Sequence, residues 1–514
     1  MPEHKTTLLI ILDGWGINLT ENTLNPIVPE NTPNYFDFLK KYPNTKLQAS
    51  GESVGLFKGQ EGNSEAGHIN LGAGRVVKQD ALYISDAIAD GTFFKNNAFH
   101  QAMHHVKKYN TAVHLMGLLS NHNSAHSCPE HLYALLNLLY REKIKKVYLH
   151  LFTDGRDSAQ HDAVRHLEKL REKFKGNEKI ATVMGRLFAM DRNKNWKHIK
   201  RAYEALVLGQ GETANGAEDA LLRAYNREET DEFARPTVIL EKKKPVATIK
   251  NNDAIFFFNL RSDRARELTK ALVQPDFEKV NPGAFKRLRI PKNIRFVALT
   301  DFGPDLPGVL TAFPSRDVKN SLVQFLCPRK QMYVAESEKF AHITYFFNGG
   351  YAQHFCDEDW IKIPTPTAES YIDKPEMNAK GVADKVVEAI KSEKYDFIAC
   401  NFSNADMVGH TGSFKASQEA VKTIDAELGR IIEALIEKKG QAIITADHGN
   451  IEEMLNIKTG GVDTEHSINP VPCVIIGVKA KRIRGGGKLA DVAPTLLKMM
   501  DLKKPKEMTG KSLI

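Results

Sequence analysis

Thiolate chemistry finds little to use in this chain, because its five cysteines, Cys128, Cys327, Cys356, Cys400 and Cys473, include no CxxC pair. Their scatter excludes a zinc-ribbon type of site and argues against a disulfide framework, so they are expected to be reduced and mostly buried. Long apolar runs are equally scarce. The first, Thr7 to Leu12, stops at Asp13 without a small-residue cleavage site. It is too short for a signal peptide and far too short for a membrane span, which reads as a cytoplasmic protein with no membrane partner. There is no internal repeat and no low-complexity segment. A net charge of +8 and basic runs at Lys242–Lys244, Lys479–Arg484 and Lys503–Lys506 do not amount to a nucleic-acid surface, since no aromatic residues interleave with them. A small anionic substrate explains a surplus of arginine equally well. Thr509-Gly510-Lys511-Ser512 imitates the end of a P-loop, but Pro505 stands where its first glycine is required.

What the chain does have is size and an ordinary globular composition: 514 residues, 42% hydrophobic and 26% charged, enough for two or more domains. Apolar β-type runs alternate with amphipathic helical patterns such as Pro129–Lys143, Gln160–Lys173 and Lys415–Glu437. That alternation predicts an α/β protein with parallel sheets covered by helices. The stretch Lys58 to Arg75, KGQEGNSEAGHINLGAGR, stands out for its glycines and a central serine. Gly59, Gly62, Gly67, Gly72 and Gly74 predict a loop of positive φ and close backbone approach that presents the Ser64 hydroxyl to a phosphate or a metal.

The ends of the apolar runs carry the chemistry. TLLIIL ends in Asp13-Gly14, DFIACNF leads to Asp406 with His410 four residues on, and AIITA ends in Asp447-His448. Ligands in open α/β sheets bind beyond the carboxyl ends of strands, so these tips are expected to share one crevice, with His466 reaching it from a neighbouring loop. Aspartate, histidine and a serine hydroxyl, without thiolate, suit two divalent ions of the Mn²⁺ or Zn²⁺ type. Histidine ligands must be neutral to bind metal, so activity is expected to fall on acidification.

A second set of tips carries arginine. AVHLMGLLS leads to His122 and His126, VYLHLF to Arg156 and Asp157, IATVMG to Arg186 and then Arg192, and AIFFFNL to Arg261 and Arg264. Guanidinium forks match carboxylate and phosphate, which describes a pocket for a small polyanion. Because the metal-type residues occur at 13 and 64 and then only from 406 onward, the middle of the chain is expected to be an insertion. The expected division is 1–78 with 314–514 as a discontinuous metal-binding domain, 81–311 as the insertion, and hinges at 79–80 and 312–313, with the active site between the two.

The motifs GQEGNSEAGHINLGAGR, DGRD, AMDR, RSDRAR, SEKFAHITYFFNGG, NFSNADMVGHTG and ADHGN resemble those of the cofactor-independent (2,3-bisphosphoglycerate-independent) phosphoglycerate mutases of the alkaline phosphatase superfamily, from LDGWG to EMTGKSLI. The resemblance implies an alkaline-phosphatase-like domain with a second α/β domain inserted into it. It implies interconversion of 3- and 2-phosphoglycerate through phosphoserine at Ser64, in glycolysis and gluconeogenesis, with a phosphatase or another phosphomutase of the superfamily as the alternative. Two divalent ions, Mn²⁺ foremost, would be held by Asp13, Ser64, Asp447 and His448, and by Asp406, His410 and His466. His126, Arg156, Asp157, Arg186, Arg192, Arg261, Arg264 and Lys339 are implied in substrate binding, with Ser64, Asp157 and Lys339 catalytic. Lys339, in SEKFAH, comes from the resemblance alone. The enzyme is read as a monomer acting on a small molecule. One departure stands out: the family's SDGGVHSH is replaced by Ser120-Asn121-His122-Asn123-Ser124-Ala125-His126-Ser127-Cys128, which leaves His122 as a rival to His126.

Overall fold

Every residue of Thr7–Leu12 is buried, as a strand covered by helices on both faces must be. The computed structural model describes residues 5–20, 24–122, 124–368, 370–457, 459–480 and 482–514; Asn123 of the His122–His126 loop and Lys481 of one basic run lie outside these. The described chain forms two compact units, one of Met1–Gln79 with Arg316–Ile514 and one of Asp80–Ser315.

The first unit is built on an eight-stranded sheet. Its order is Asp359–Ile363, Gln331–Glu336, Phe397–Phe402, Thr7–Leu12, Gln441–Thr445, Val471–Ile476, Asn44–Gln48 and Gly487–Lys488. The first five strands are parallel, so Leu12 lies beside Phe402, and Ile11 beside Thr445, at one carboxyl edge. Val471–Ile476 departs from the expected parallel pattern and runs antiparallel, with Cys473 beside Thr445. Its amino end therefore lies at the edge where its neighbours end, and that reversal is what brings the segment of His466 to the strand tips. The helix Phe414–Glu437 covers the sheet with Val421, Ile424, Leu428, Ile431 and Leu435 on its buried side and is capped by the Ser413 side chain.

The second unit has a nine-stranded sheet whose central strands, Ala254–Phe257, Val113–Leu119, Val147–Thr153 and Glu178–Gly185, are parallel. Thr237–Glu241 joins Glu178–Gly185 antiparallel. The hinge expected at 312–313 falls instead on strand, since Val309–Phe313 pairs with Arg295–Thr300. Phe313 is buried against Phe93 and Phe99, and that packing moves the change of unit to Ser315/Arg316.

Two further readings change. Lys58–Arg75 is not one loop, because Ser64–Ala73 is α-helix with the Asn63 side chain accepting from Ala66 N. Among its glycines only Gly59 and Gly74 have positive φ. Gly67 is needed for a different reason: a Cβ there would meet Asp447 Cβ at 2.6 Å. The cysteines also differ from expectation. Cys327 and Cys356, 29 residues apart, form a disulfide with a Cα–Cα distance of 5.9 Å, whereas Cys128, Cys400 and Cys473 are free and buried. Spacing in the chain says nothing about such a pair until folding brings its ends together. No helix among the described residues is long and apolar enough to cross a membrane.

Candidate active site

The carboxyl edge of the first sheet gathers its acidic and imidazole residues. Asp13 follows Thr7–Leu12, Asp406 lies in the short helix Asn404–Gly409 after Phe397–Phe402, and Asp447 and His448 follow Gln441–Thr445. Gly14 makes the first turn possible, with φ 74° and the Asp406 backbone where a Cβ would stand. Ser64 is the first residue of its helix, where unpaired N–H groups and the helix dipole favour negative charge.

The Ser64 hydroxyl lies 3.1 Å from Asp13 Oδ1, 3.0 Å from His448 Nε2 and 2.7 Å from Lys339 Nζ. The same ammonium donates to Asp13 Oδ1 and Asp406 Oδ2, each at 2.6 Å. A few ångströms on, Asp406 Oδ1 has His466 Nε2 at 3.1 Å and His410 Nε2 at 3.3 Å. The second nitrogens of these rings are tied to backbone carbonyls, His466 Nδ1 to Gly62 O at 2.8 Å and His410 Nδ1 to Thr464 O at 2.7 Å, so both present Nε2 to the centre. His448 and His466 stack with centroids 4.0 Å apart.

Charge explains the titration of this cluster. Burial alone would lower Lys339, but Asp13, Asp406 and Asp447 more than offset it and hold the ammonium charged. Burial likewise opposes ionisation of Asp13 and Asp406, and Lys339 in first place carries both well below the usual carboxylate range. His448 is pushed up to about 9, its burial outweighed by Asp447, Asp13 and Asp406.

Tight groupings of ligand atoms suit a divalent ion: Asp406 with His410 and His466, Asp13 with Asp406 and His448, and Asp13 with His68 and Asp447. Asp447 Oδ2 fits that reading, because it is buried without a hydrogen bond, 3.2 Å from His68 Nδ1 and 3.5 Å from His448 Nε2.

No strand-tip pattern in the sequence singles out His68, Asn401 or Asn450. His68 lies one turn beyond Ser64, with Nδ1 2.9 Å from Ser64 O, and the Asn401 amide reaches both His68 Nε2 at 2.9 Å and Asp13 Oδ2 at 2.7 Å. Asn450 Nδ2 donates to Asp406 Oδ1 at 3.1 Å. A helical reading of Ser64–Ala73 reveals the first, since residues four apart share a face. Lys339 stands three residues past the strand Gln331–Glu336, a tip hidden in the sequence by the polar residues at both ends of that strand.

The second unit collects its own set at the carboxyl edge of its sheet. Arg186 opens the short helix after Glu178–Gly185, is 2% exposed, and pairs with Asp154 at 2.5 Å and Asp157 at 3.0 Å. Asp157 also accepts from Ser124 Oγ at 2.7 Å. Burial would raise Asp157, but Arg186 and Ser124 keep it below the ordinary carboxylate value. Arg192 and Arg261 both approach Asp263, at 3.1 and 3.7 Å, Arg264 donates to Met190 O at 3.4 Å, and Arg156 lies 3.8 Å from Glu232. The two histidines of the lengthened loop separate: His126 is 7% exposed, whereas the His122 side chain is 63% exposed and pairs with Glu130 at 3.1 Å. Burial, followed by Arg186, pushes His126 down to about 3.

Comparison with known proteins gives a consistent result. Residues 84–304 match the BPG-independent PGAM N-terminus family and residues 325–467 the type I phosphodiesterase / nucleotide pyrophosphatase family. The chain is 45% identical over 514 residues to the 2,3-bisphosphoglycerate-independent phosphoglycerate mutase of Clostridium botulinum (strain ATCC 19397 / Type A), covering 99% of each. It is 46% identical over 527 residues to the 2,3-bisphosphoglycerate-independent phosphoglycerate mutase 2 of Methanosarcina barkeri, again covering 99% of each. A crystal structure of Leishmania mexicana phosphoglycerate mutase at low cobalt concentration superposes with a TM-score of 0.78 at 29% identity, over 99% of this chain and 97% of that one.

Proposed function

The chain belongs to the 2,3-bisphosphoglycerate-independent phosphoglycerate mutase family, and we propose that it interconverts 3-phosphoglycerate and 2-phosphoglycerate without bisphosphoglycerate, through a phosphoryl group held on Ser64. The observation that carries this reading is the Ser64 hydroxyl at a helix N-terminus, 2.7 Å from the Lys339 ammonium and 3.1 Å from Asp13. Asp13, Ser64, Asp447 and His448 would hold one divalent ion and Asp406, His410 and His466 a second, with Mn²⁺ the ion proposed. When bound, such a pair lowers the pKa of a ligating hydroxyl and neutralises charge on phosphoryl oxygens.

The residues themselves supply the rest of the proposed cycle. Lys339 donates to Ser64 Oγ, so negative charge that develops there as the hydroxyl proton leaves meets an ammonium already in place. The arginines of the second unit bind the glycerate carboxylate and hydroxyls through bidentate contacts. Asp157, kept ionised by Arg186, takes a proton from the glycerate hydroxyl that is to receive the phosphoryl group. We assign phosphoryl transfer to the unit of Ser64 and substrate recognition to Asp80–Ser315, and read the enzyme as a cytoplasmic monomer with a small-molecule substrate.

The test is an assay of 3-phosphoglycerate isomerisation without added bisphosphoglycerate, with Mn²⁺ and with chelator, on the native chain and on Ser64→Ala. Isomerisation that needs metal and Ser64 supports the proposal. Release of free phosphate without 2-phosphoglycerate identifies a phosphatase instead, and near-native isomerisation by Ser64→Ala overturns the assignment of the nucleophile.

A further inference from the structure

Glu452 is a charged side chain with no exposure, in the loop after Asp447 and His448, and it forms no ion pair among the described residues. Its carboxylate is satisfied entirely by neutral donors. Oε2 accepts from Gly16 N at 2.9 Å and Asn450 N at 2.8 Å, and Oε1 accepts from Asn469 Nδ2 at 3.0 Å and from Ser467 Oγ. Burying a carboxylate is costly unless each oxygen is hydrogen-bonded, so the arrangement of these donors matters.

The donors come from three separate segments of the chain. Gly16 follows Asp13 in the first strand-tip loop, Asn450 follows Asp447 and His448, and Ser467 is the residue after His466. Asn450 adds a fourth connection, since its amide donates to Asp406 Oδ1 at 3.1 Å. Two glycines leave room for the carboxylate. A Cβ on Gly16 would lie 2.2 Å from Glu452 Cδ, and one on Gly449 would lie 2.4 Å from Glu452 Oε1. Thus the glycines of the GWG and DHGN stretches accommodate this one side chain.

We propose that Glu452 is a positioning residue that sets the Asp13, Asp447–His448 and His466 segments in register, so that both ion-binding groups assemble together. The inference rests on the two-ion reading above. Glu452 touches none of the proposed ligand atoms; it acts through the backbone and through Ser467, Asn469 and Asn450. Glutamine in its place has one oxygen and one amide, so one pair of donors must face another donor whichever way the amide turns.

The experiment is calorimetric titration of Mn²⁺ into metal-stripped protein, with circular dichroism to verify folding. Glu452→Gln is expected to weaken Mn²⁺ binding by about 10- to 100-fold, the range for losing an outer partner of metal ligands. Ser467→Ala, which removes a single donor and keeps the carboxylate, is expected to weaken it several-fold, and this variant serves if Glu452→Gln does not fold. Asp425→Asn is the control, altering a carboxylate that accepts from Asn34 N and Tyr35 N within the same unit, away from these loops. It is expected to lower stability while leaving Mn²⁺ affinity near the native value. Native Mn²⁺ affinity in Glu452→Gln or Ser467→Ala overturns the proposal, as does an equal loss in Asp425→Asn. If the native chain binds no Mn²⁺, both this inference and the two-ion reading fall. Tight Mn²⁺ binding without isomerisation overturns the substrate reading alone.

Discussion

Lys339 Nζ lies 2.7 Å from Ser64 Oγ although 275 residues separate the two in the chain. The contact is held from both sides, because the ammonium also bonds Asp13 and Asp406 at 2.6 Å. Lys339 therefore donates to the Ser64 hydroxyl, the proposed nucleophile, and neutralises two carboxylates that would otherwise repel each other.

Lys339→Met follows directly from this geometry. Removing one partner of a buried ion pair leaves uncompensated charge, at a cost of about 3–5 kcal/mol. Denaturant unfolding of the metal-free protein is expected to show that loss. Mn²⁺ is expected to recover much of the stability, since a cation bound to the same carboxylates stabilises the native state by mass action, but it should not restore isomerisation. Full activity in the methionine variant would remove Lys339 from the mechanism.

Arg264 belongs to the other set of side chains. It is only partly buried, makes a 3.4 Å contact with Met190 O, and forms no ion pair among the described residues. Arg264→Ala is expected to raise KM for phosphoglycerate by about 10- to 100-fold, the worth of a charged hydrogen bond to substrate, with little change in thermal stability. Steady-state kinetics and a melting curve check the two halves of that statement.

The Cys327–Cys356 disulfide closes a segment that contains the strand Gln331–Glu336 and Lys339 itself. For a span of 29 residues, chain entropy alone gives a stabilisation of about 3 to 4 kcal/mol. Reductant, or Cys327→Ser, is expected to lower the melting temperature, and reductant should have no further effect on the serine variant. An unchanged melting temperature would show that the crosslink does not stabilise the native state.

Acid stability follows from four imidazoles, of which His126, His131 and His150 are buried and His342 is partly buried. Burial depresses His126 and His342 to about 3, helped by Arg186 and Lys339 respectively, lowers His131 to about 4, and takes His150 well below its ordinary value. Each has a folded pKa below that of the unfolded chain, so between the two values the unfolded state binds the extra proton. Stability is thus expected to decline as pH falls below about 6.5, by about 1.4 kcal/mol per pH unit for each group that stays neutral. Urea unfolding at pH 7.5 and 5.5 measures the slope. His131→Gln, whose amide can still donate to Ala81 O, should remove one group's share of it.

The α/β class was legible because buried strands and amphipathic helices have different periods, and because ligand-type residues recur at strand ends. Local chemistry could announce Asp13, Asp406, Asp447 and the arginine tips in this way, each within a few residues of an apolar run. Lys339 escaped because its strand, Gln331–Glu336, is polar at both ends, and Glu452 escaped because nothing in a lone glutamate reveals four donors arriving from three segments. The stretch around Ser64 reads as a glycine-rich loop, since glycine at a crowded helix face and glycine at a positive φ look alike in a sequence; the packing of Asp447 against Gly67 separates them. By itself the sequence determined the α/β class, the donor types at the strand tips and the serine. Tertiary structure decided which way Val471–Ile476 runs, which cysteines meet and which cation faces Ser64, because each depends on groups far apart in the chain being brought to contact distance by packing.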